Sequence, residues 1–164
     1  MTVERPTPLR FVVLIAISLI AAACGDEEAT DQSPNETWGP LAVVSGPPSG
    51  DQALIAGSLQ IAHDCVTLQE DGGELVLLVW PSHGTTWHPE SRIIEYSDGD
   101  QTVELSHGED VAFGGGGDSL HEGGLSPSEW TDSVDGWASE PDPSCPADVR
   151  WFVGGLPSAD TDGS

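Results

Sequence analysis

The 164-residue sequence contains no lysine, and its basic side chains are four arginines against 28 aspartates and glutamates. The formal net charge is −24. Nucleic-acid binding depends mainly on lysine and arginine meeting phosphates, so this composition argues against nucleic acid as a partner. Attachment to an anionic membrane through a basic patch is excluded on the same grounds.

Long apolar runs are also scarce. Residues 11–23 (FVVLIAISLIAAA) carry no charge and follow the basic residues Arg5 and Arg10. A helix needs about 20 apolar residues to cross a hydrocarbon core, so this run is too short to span comfortably. It has the length of the apolar part of a cleaved secretory signal. Its last three residues are alanines, which suit a signal peptidase, and Cys24 follows them directly.

A cysteine at this position predicts cleavage before Cys24 and attachment of lipid to its thiol. The motif resembles a bacterial lipobox, with Ala21 where leucine is commoner. The same alanines would suit an ordinary signal peptidase, which would leave a free secreted protein, and an uncleaved anchor is a further alternative. We expect a lipoprotein at the extracytoplasmic face of a bacterial cell membrane, with the membrane contact made by acyl chains.

Cysteine itself is rare, with three residues in the chain. If Cys24 carries lipid, Cys65 and Cys145 remain, and two thiols in an oxidising compartment can form a disulfide. Such a bond would close a loop of about 80 residues and stabilise the fold by about 4.5 kcal/mol in the chain-entropy model. The alternative is two separate buried thiols. Neither cysteine belongs to a CxxC pair, which argues against metal or redox use.

Removal of residues 1–23 would leave 141 residues, with two of the four basic and 27 of the 28 acidic side chains, and a formal net charge of −25. This length is enough for one domain with a modest core. Residues 25–50 are rich in acidic, Pro, Ser and Gly residues, so we assign residues 24–52 to a lipidated cysteine and an acidic disordered tether. Residues 53–154 are the predicted β domain, and residues 155–164 a disordered tail.

Within the predicted domain, apolar residues fall in short runs separated by turn residues, which is a strand pattern. A short helix is expected at residues 126–130, because Ser126 and Pro127 are typical of a helix start. Residues 114–148 are expected to be largely irregular. The pattern predicts an all-β fold, a small antiparallel barrel or sandwich of six or seven short strands. The predicted strands are residues 53–61, 65–68, 74–80, 92–96, 101–105, 110–114 and 149–154.

Several short segments also carry a family resemblance. They are GSLQI at 57–61, CVTL at 65–68, LLVWP at 77–81, GTTW at 84–87, GEDV at 108–111, the glycine run at 114–117, and Cys145 ahead of WFVG at 151–154. In these features the chain resembles a group of small, uncharacterised actinobacterial exported lipoproteins. The resemblance implies a β-rich secreted domain between residues 53 and 154, and it brings no activity, cofactor or site.

Motifs for metal binding and catalysis are weak. Imidazole and carboxylate groups bind zinc or copper, yet no HxH, HxxH or HExxH spacing fixes two histidines on one element. Aspartate clusters at 98–100, 132–136 and 160–163 match no EF-hand and are interpreted as turns. There is no G-x-S-x-G elbow, and the glycine run lacks the Lys-Ser/Thr of a P-loop. We therefore assign no catalytic residue, no metal and no cofactor. The histidines, interpreted as solvated loop residues, are His63, His83, His88, His107 and His121.

The tryptophans are more informative. Trp80 and Trp151 fall in predicted strands and are expected in the core. Trp87, Trp130 and Trp137 lie in predicted loops, where exposed aromatic faces could hold a sugar ring or a protein partner. The alternative is that these three fold back and plug the ends of a barrel.

The sequence therefore predicts a non-enzymatic cell-envelope binding or interaction module. Its partner would be a glycan or a protein, and Trp87, Trp130 and Trp137 are the candidate ligand-binding residues. The alternative function is a divalent-metal-binding protein or a metal-dependent hydrolase that uses loop His and Asp/Glu residues.

Overall fold

A computed structural model describes residues 38–46 and 53–157 of the chain. The described residues form mostly strands, with two short helices, α1 (Leu120–Gly123) and α2 (Pro127–Asp132). The strands are β1 (Ala42–Val44), β2 (Ala53–Ile61), β3 (Val66–Gln69), β4 (Leu75–Pro81), β5 (Thr85–His88), β6 (Ile93–Ser97), β7 (Thr102–Leu105), β8 (Asp110–Ser119), β9 (Trp137–Ser139) and β10 (Val149–Gly155).

Five of these strands close into a barrel. Antiparallel pairs join β10 to β8, β8 to β2, β2 to β3 and β3 to β4. The parallel pair of β10 with β4, in which Val149 lies opposite Val76 and Phe152 opposite Val79, completes the ring. Because a closed ring leaves no free edge among its members, the backbone groups of the barrel strands pair with one another.

The barrel interior is filled by alternate residues of its strands. Along β2, Ile55, Leu59 and Ile61 are buried, as the two-residue period of a strand requires. Trp80 of β4 is completely buried, and its ring meets the rings of Tyr96 and Phe113 edge to face, with both centroid distances 5.4 Å. Edge-to-face pairs of this kind add to the burial free energy of the rings. The prediction that Trp80 belongs to the core is confirmed.

A second sheet of three antiparallel strands, in the order β5–β6–β7, packs onto the same core. Ile94 and Tyr96 of β6 and Leu105 of β7 are buried in one cluster with the barrel residues. Between β5 and β6 the chain turns through residues 89–92, where the N–H of Arg92 donates to the carbonyl of His88 at 2.8 Å. Arg92 has a φ of 55°, a left-handed conformation that side chains other than glycine rarely adopt.

Strands β1 and β9 extend the large sheet beyond the barrel. β1 runs parallel to β4 with Val43 opposite Trp80, and β9 runs antiparallel to β1 with Val43 opposite Ser139. A second buried cluster forms on this side from Ala42, Val44, Leu77 and Val79. Since β4 packs against apolar residues on both faces, its sequence LVLLVWP is apolar throughout, without alternation.

The structure confirms the all-β fold, and each of the seven predicted strands overlaps an observed one. Strands β1, β5 and β9 were not predicted. The helix predicted at residues 126–130 is present as α2, with Ser126 as its N-cap, a capping box to Glu129 and Pro127 in the first turn. Residues 114–148 are less irregular than expected, because they include the second half of β8, both helices and β9.

The glycine run is part of β8 and lies against β10. A Cβ atom on Gly115 would overlap the Phe152 carbonyl, and one on Gly117 would overlap the Arg150 carbonyl. Glycine is therefore what allows these two strands to approach closely. Residues 114–117 are all paired with β10, and the pairing has a register shift between Val153 and Gly155, which lie opposite Gly115 and Gly114.

Two predicted domain boundaries are also corrected. The tether was placed at residues 24–52, yet Leu41–Val44 are buried in the fold, because this apolar stretch pairs with β4. The tail was placed from residue 155, yet Gly155 ends β10 and the Leu156 N–H donates to the Asp98 carboxylate at 2.9 Å. Residues 1–37, 47–52 and 158–164 lie outside the described residues. They include the whole predicted signal, Cys24, and most of the predicted tether and tail.

Candidate binding cleft

A disulfide between Cys65 and Cys145 joins two distant parts of the chain, as predicted. The two Cα atoms are 5.7 Å apart although the residues are separated by 80 positions. Beside this bond, the hydroxyl of Ser144 donates to the carboxylate of Asp64 at 2.8 Å. The loop before β10 is therefore held against the start of β3 by two neighbouring links: the disulfide, and the hydrogen bond between Ser144 and Asp64.

An open cleft of about 970 Å³ lies next to this junction. It is lined by residues 39–41 before β1, residues 62–64 between β2 and β3, and residues 137–143 of β9 and the loop after it. Trp87, Pro89 and Arg92 of the second sheet complete its wall. A cleft of this size falls in the range that ligand-binding sites occupy in proteins.

Two of the three candidate tryptophans line the cleft, and each is held in place by a defined contact. Trp87 lies on β5, and its indole packs so closely on Gly39 that a Cβ there would overlap the ring. Trp137 lies on β9, and its indole N–H donates to the Thr131 carbonyl at 3.1 Å. Both side chains are half-buried. They are thus fixed strand residues, and the prediction that they lie in loops is wrong.

Trp130 does not share this cleft. It lies on α2 and is 7% exposed, its indole N–H donates to Asp118 at 2.6 Å, and the Arg150 guanidinium stacks on its ring at 4.7 Å. Because its ring and its polar group both have partners inside the fold, Trp130 fixes α2 against the barrel. We therefore remove Trp130 from the candidate ligand-binding residues.

Acidic groups outnumber basic ones along the cleft. Asp64, Glu140 and Asp142 face one arginine, Arg92. The Ser144 hydroxyl shares its one proton between Asp64 and Asp142, and together with the Ser144 backbone N–H it holds the pKa of Asp142 below the ordinary value. The Arg92 guanidinium donates through Nη2 to the carbonyls of Ile61 and Ala62, at 2.9 and 3.1 Å.

The five histidines do not come together. His88 lies 3.7 Å from Glu95, and His121 lies 3.3 Å from Asp148, in different parts of the fold. His107 accepts the backbone N–H of Ile61 through Nδ1 at 3.1 Å. Within residues 38–46 and 53–157, no group of three or more His, Cys, Asp or Glu residues has the arrangement of a metal site. The geometry of this part of the chain thus offers the metal alternative no support.

The aspartate pair in the β6–β7 turn has a structural explanation. The Asp98 carboxylate accepts hydrogen bonds from the backbone N–H groups of Leu156, Gln101 and Asp100, and these bonds lower the pKa of Asp98. Asp98 therefore shapes the turn and ties the end of β10 to it, as the interpretation of this cluster as a turn implied.

The sequence did not point to the non-aromatic part of the cleft. Arg92, Glu140 and the prolines of the wall have no motif around them, and they meet only because β5, β9 and the β2–β3 turn converge. One signal was present: Arg92 is one of two basic residues outside the predicted signal.

Comparisons with protein-family models, with curated proteins and with solved structures find no match to this chain. Among the residues that the structure describes, no helix is long and apolar enough to cross a membrane.

Proposed function

We propose that the protein is a non-enzymatic binding module of the bacterial cell envelope, anchored at the extracytoplasmic face of the membrane by lipid on Cys24. The cleft is its binding site, and a cell-envelope glycan or protein is its ligand. The observation that carries this proposal is the pair of fixed, half-exposed indoles of Trp87 and Trp137 in one cleft. Aromatic faces beside polar groups are a common way to bind sugars and protein partners.

The cysteine arrangement supports the anchored, extracytoplasmic part of the proposal. Cys65 and Cys145 form a disulfide, and such bonds persist mainly in oxidising compartments. Cys24 is then the one cysteine of the three that this disulfide does not use, and it directly follows the apolar run and its alanines. A lipidated cysteine accounts for the odd number, which an exported chain otherwise leaves unexplained.

Anchoring is tested by Cys24→Ser in a bacterial host that processes lipoproteins. The wild-type protein is expected in the membrane fraction, with incorporation of labelled palmitate. The variant is expected to lose the label, because serine has no thiol to accept the lipid. Cys65→Ser with Cys145→Ser serves as the control, since it removes two cysteines and leaves the attachment site. Equal labelling of wild type and Cys24→Ser would contradict the anchor.

Ligand binding is tested by incubating the purified domain with isolated peptidoglycan and with an array of cell-envelope glycans. Trp87→Ala is expected to reduce retention by about ten-fold, because an aromatic side chain that becomes buried against a ligand contributes one to several kcal/mol to binding. Leu54→Ala is the matched control, since it removes an exposed apolar side chain, 64% accessible, outside the cleft. Retention that is unchanged in Trp87→Ala would contradict the assignment of the cleft.

A further inference from the structure

We infer that the ligand of the cleft is an extended polypeptide segment with lysine or arginine side chains, bound along the free edge of β9 with its cations against Trp87 and Trp137. The inference rests on the proposed function, because it names the ligand class of the same site. Three observations carry it: the position of β9 in the sheet, the charge of the cleft and the two indoles.

The first observation is that β9 is the last strand of the seven-stranded sheet, with β1 on one side and no described strand on the other. Residues 137–140 all line the cleft. Successive side chains of a strand point to opposite faces, so this continuous run of lining residues places the strand along the cleft, where Trp137 and Ala138 are partly exposed and Ser139 is 4% exposed. Unpaired backbone groups on such an edge can pair with an added strand. A polypeptide can use them in that way, and a sugar cannot form the ladder.

The second observation is the balance of charge. Glu140 and Asp142 directly follow β9, Asp64 lies across the disulfide from them, and all three line the cleft. Glu140 makes no hydrogen bond or ion pair within the described residues, and the hydrogen bonds from Ser144 lower the pKa of Asp142. These carboxylates attract cations and repel acidic ligands.

The single arginine of the cleft does not reverse this balance. Arg92 already donates to two backbone carbonyls through Nη2. The other arginine of the described residues, Arg150, is 4% exposed and pairs with Asp118 away from the cleft. An anionic ligand would therefore meet three carboxylates and one partly engaged cation, which disfavours acidic glycans and acidic peptides.

The third observation is the indole pair. Lysine and arginine cations are attracted to the faces of tryptophan rings. Trp137 is on the edge strand itself, so a cation from a paired segment would lie next to its ring. Pro141 and Pro143 follow and have no N–H to donate, which limits the paired stretch to a few residues and gives the side chains a large share of the affinity.

The test uses a fluorescent octapeptide of alternating lysine and threonine, with a glutamine–threonine peptide as the neutral comparison. Anisotropy titrations at about 0.15 M salt keep long-range attraction to the acidic surface small, because the Debye length is then about 8 Å. The basic peptide is expected to bind and the neutral one to bind at least about ten-fold more weakly, because the carboxylates select cations. Equal affinities would overturn the inference.

Variants then locate the binding. Glu140→Gln with Asp142→Asn is expected to lower the affinity for the basic peptide by about ten-fold. The asparagine keeps an oxygen that can accept a hydrogen bond from Ser144, so the loop contact is retained. The matched control, Glu74→Gln with Asp110→Asn, removes the same charge from exposed positions outside the cleft and is expected to change the affinity by less than about two-fold. Equal weakening by both pairs would mean attraction to the general acidic surface and would overturn the inference.

The role of the β9 edge is tested with the same basic peptide N-methylated at alternate residues. Its charge is unchanged and its backbone donors on one edge are removed, so the affinity is expected to fall by about ten-fold if a ladder forms. Unchanged binding would overturn edge pairing.

The two proposals fail in different ways. Glycan binding that depends on Trp87, without binding of the basic peptide, would leave the proposed function standing and overturn this inference. Absence of binding by glycans, peptidoglycan and the basic peptide alike would overturn both.

Discussion

At the scale of single residues, the cleft depends on a glycine. Gly39 has a φ of 54° and lies under the indole of Trp87, where no side chain fits. The absence of a Cβ therefore sets the position of an aromatic ring 48 positions later in the chain. No sequence pattern connects the two residues, so this contact could not be predicted from the sequence.

Gly39→Ala is expected to shift Trp87 and to lower the free energy of unfolding. An alanine in the left-handed conformation costs about 1–2 kcal/mol, and displacement of the Trp87 ring adds a further loss. Gly73→Ala is the control, because Gly73 has a φ of 84° and open space around its Cβ position. Urea unfolding measures the stabilities, and the Trp87 indole N–H resonance reports the shift. Equal losses of unfolding free energy in the two variants would mean that the contact between Gly39 and Trp87 does not contribute to stability.

Tyr96, the only tyrosine of the chain, gives a direct readout of core burial. Burial raises its pKa to about 12, and the nearby Asp98 charge adds to the rise. The folded protein favours the neutral phenol, so the corresponding stability is present below the unfolded pKa near 10 and is lost as the pH rises towards 12. Tyrosinate absorbance is expected to appear about two pH units later in the folded protein than in urea. Titration of the folded protein near pH 10 would contradict the burial.

At the scale of elements, seven strands were predictable and three were not. The boundaries of β2 match the prediction because Ile55, Leu59 and Ile61 follow the strand period. Strands β1, β5 and β9 were missed, and their length of three or four residues is not the whole reason, because β3 and β7 have four residues each and were predicted. What makes β1 and β9 strands is the pairing of β1 with β4 and of β9 with β1, which a local pattern does not record.

The candidate site was predictable only in part, for the same reason. Cys65 and Cys145 could be paired by elimination, because two cysteines remained after Cys24. Trp87 and Trp137 were named by type, since tryptophan among polar residues is unusual. Trp130 was misassigned because Arg150, which covers its ring, is 20 positions away in sequence.

Helix α2 is attached to the barrel through Arg150. The guanidinium donates to the Trp130 carbonyl at 2.6 Å and to Ser133 at 2.9 Å, and pairs with Asp118 at 2.8 Å. Its side chain is 5% exposed, so its removal leaves these groups without a buried partner. Arg150 thus joins β10, β8 and α2 through one side chain.

Arg150→Ala is expected to lower the free energy of unfolding by about 3 kcal/mol, because the buried side chain makes hydrogen bonds to Trp130, Ser133 and Asp118 that are worth about 1 kcal/mol each. Arg92→Ala removes the same side chain from an exposed site and is expected to cost about 1 kcal/mol. Urea unfolding of the two variants provides the comparison. A loss as small in Arg150→Ala as in Arg92→Ala would show that α2 is held by other contacts.

At the scale of the whole molecule, charge repulsion opposes folding. The chain has 28 acidic residues and four basic ones, and one of the two described arginines is buried. Like charges on the compact state repel one another, and salt screens them.

We therefore expect the urea midpoint to rise as sodium chloride is added up to about 1 M, where the Debye length is about 3 Å. Glu74→Gln with Asp110→Asn, which lowers the repulsion, is expected to show a smaller rise than wild type. Urea is the suitable denaturant because it carries no charge of its own. A midpoint that falls or stays constant with salt would contradict a dominant role for repulsion.

The closure of the barrel by β10 has a consequence for the order in which the fold can form. Both partners of β10, β4 and β8, precede it in the chain, and Cys145 lies only four positions before its first residue. A ribosome or a translocation channel releases the chain with its N-terminus first. The barrel therefore stays open until β10 has emerged as far as Gly155, and Cys145, the disulfide partner of Cys65, emerges only shortly before β10. Folding therefore follows emergence of the domain, and a cut before residue 149 would leave β4 and β8 without the strand that joins them.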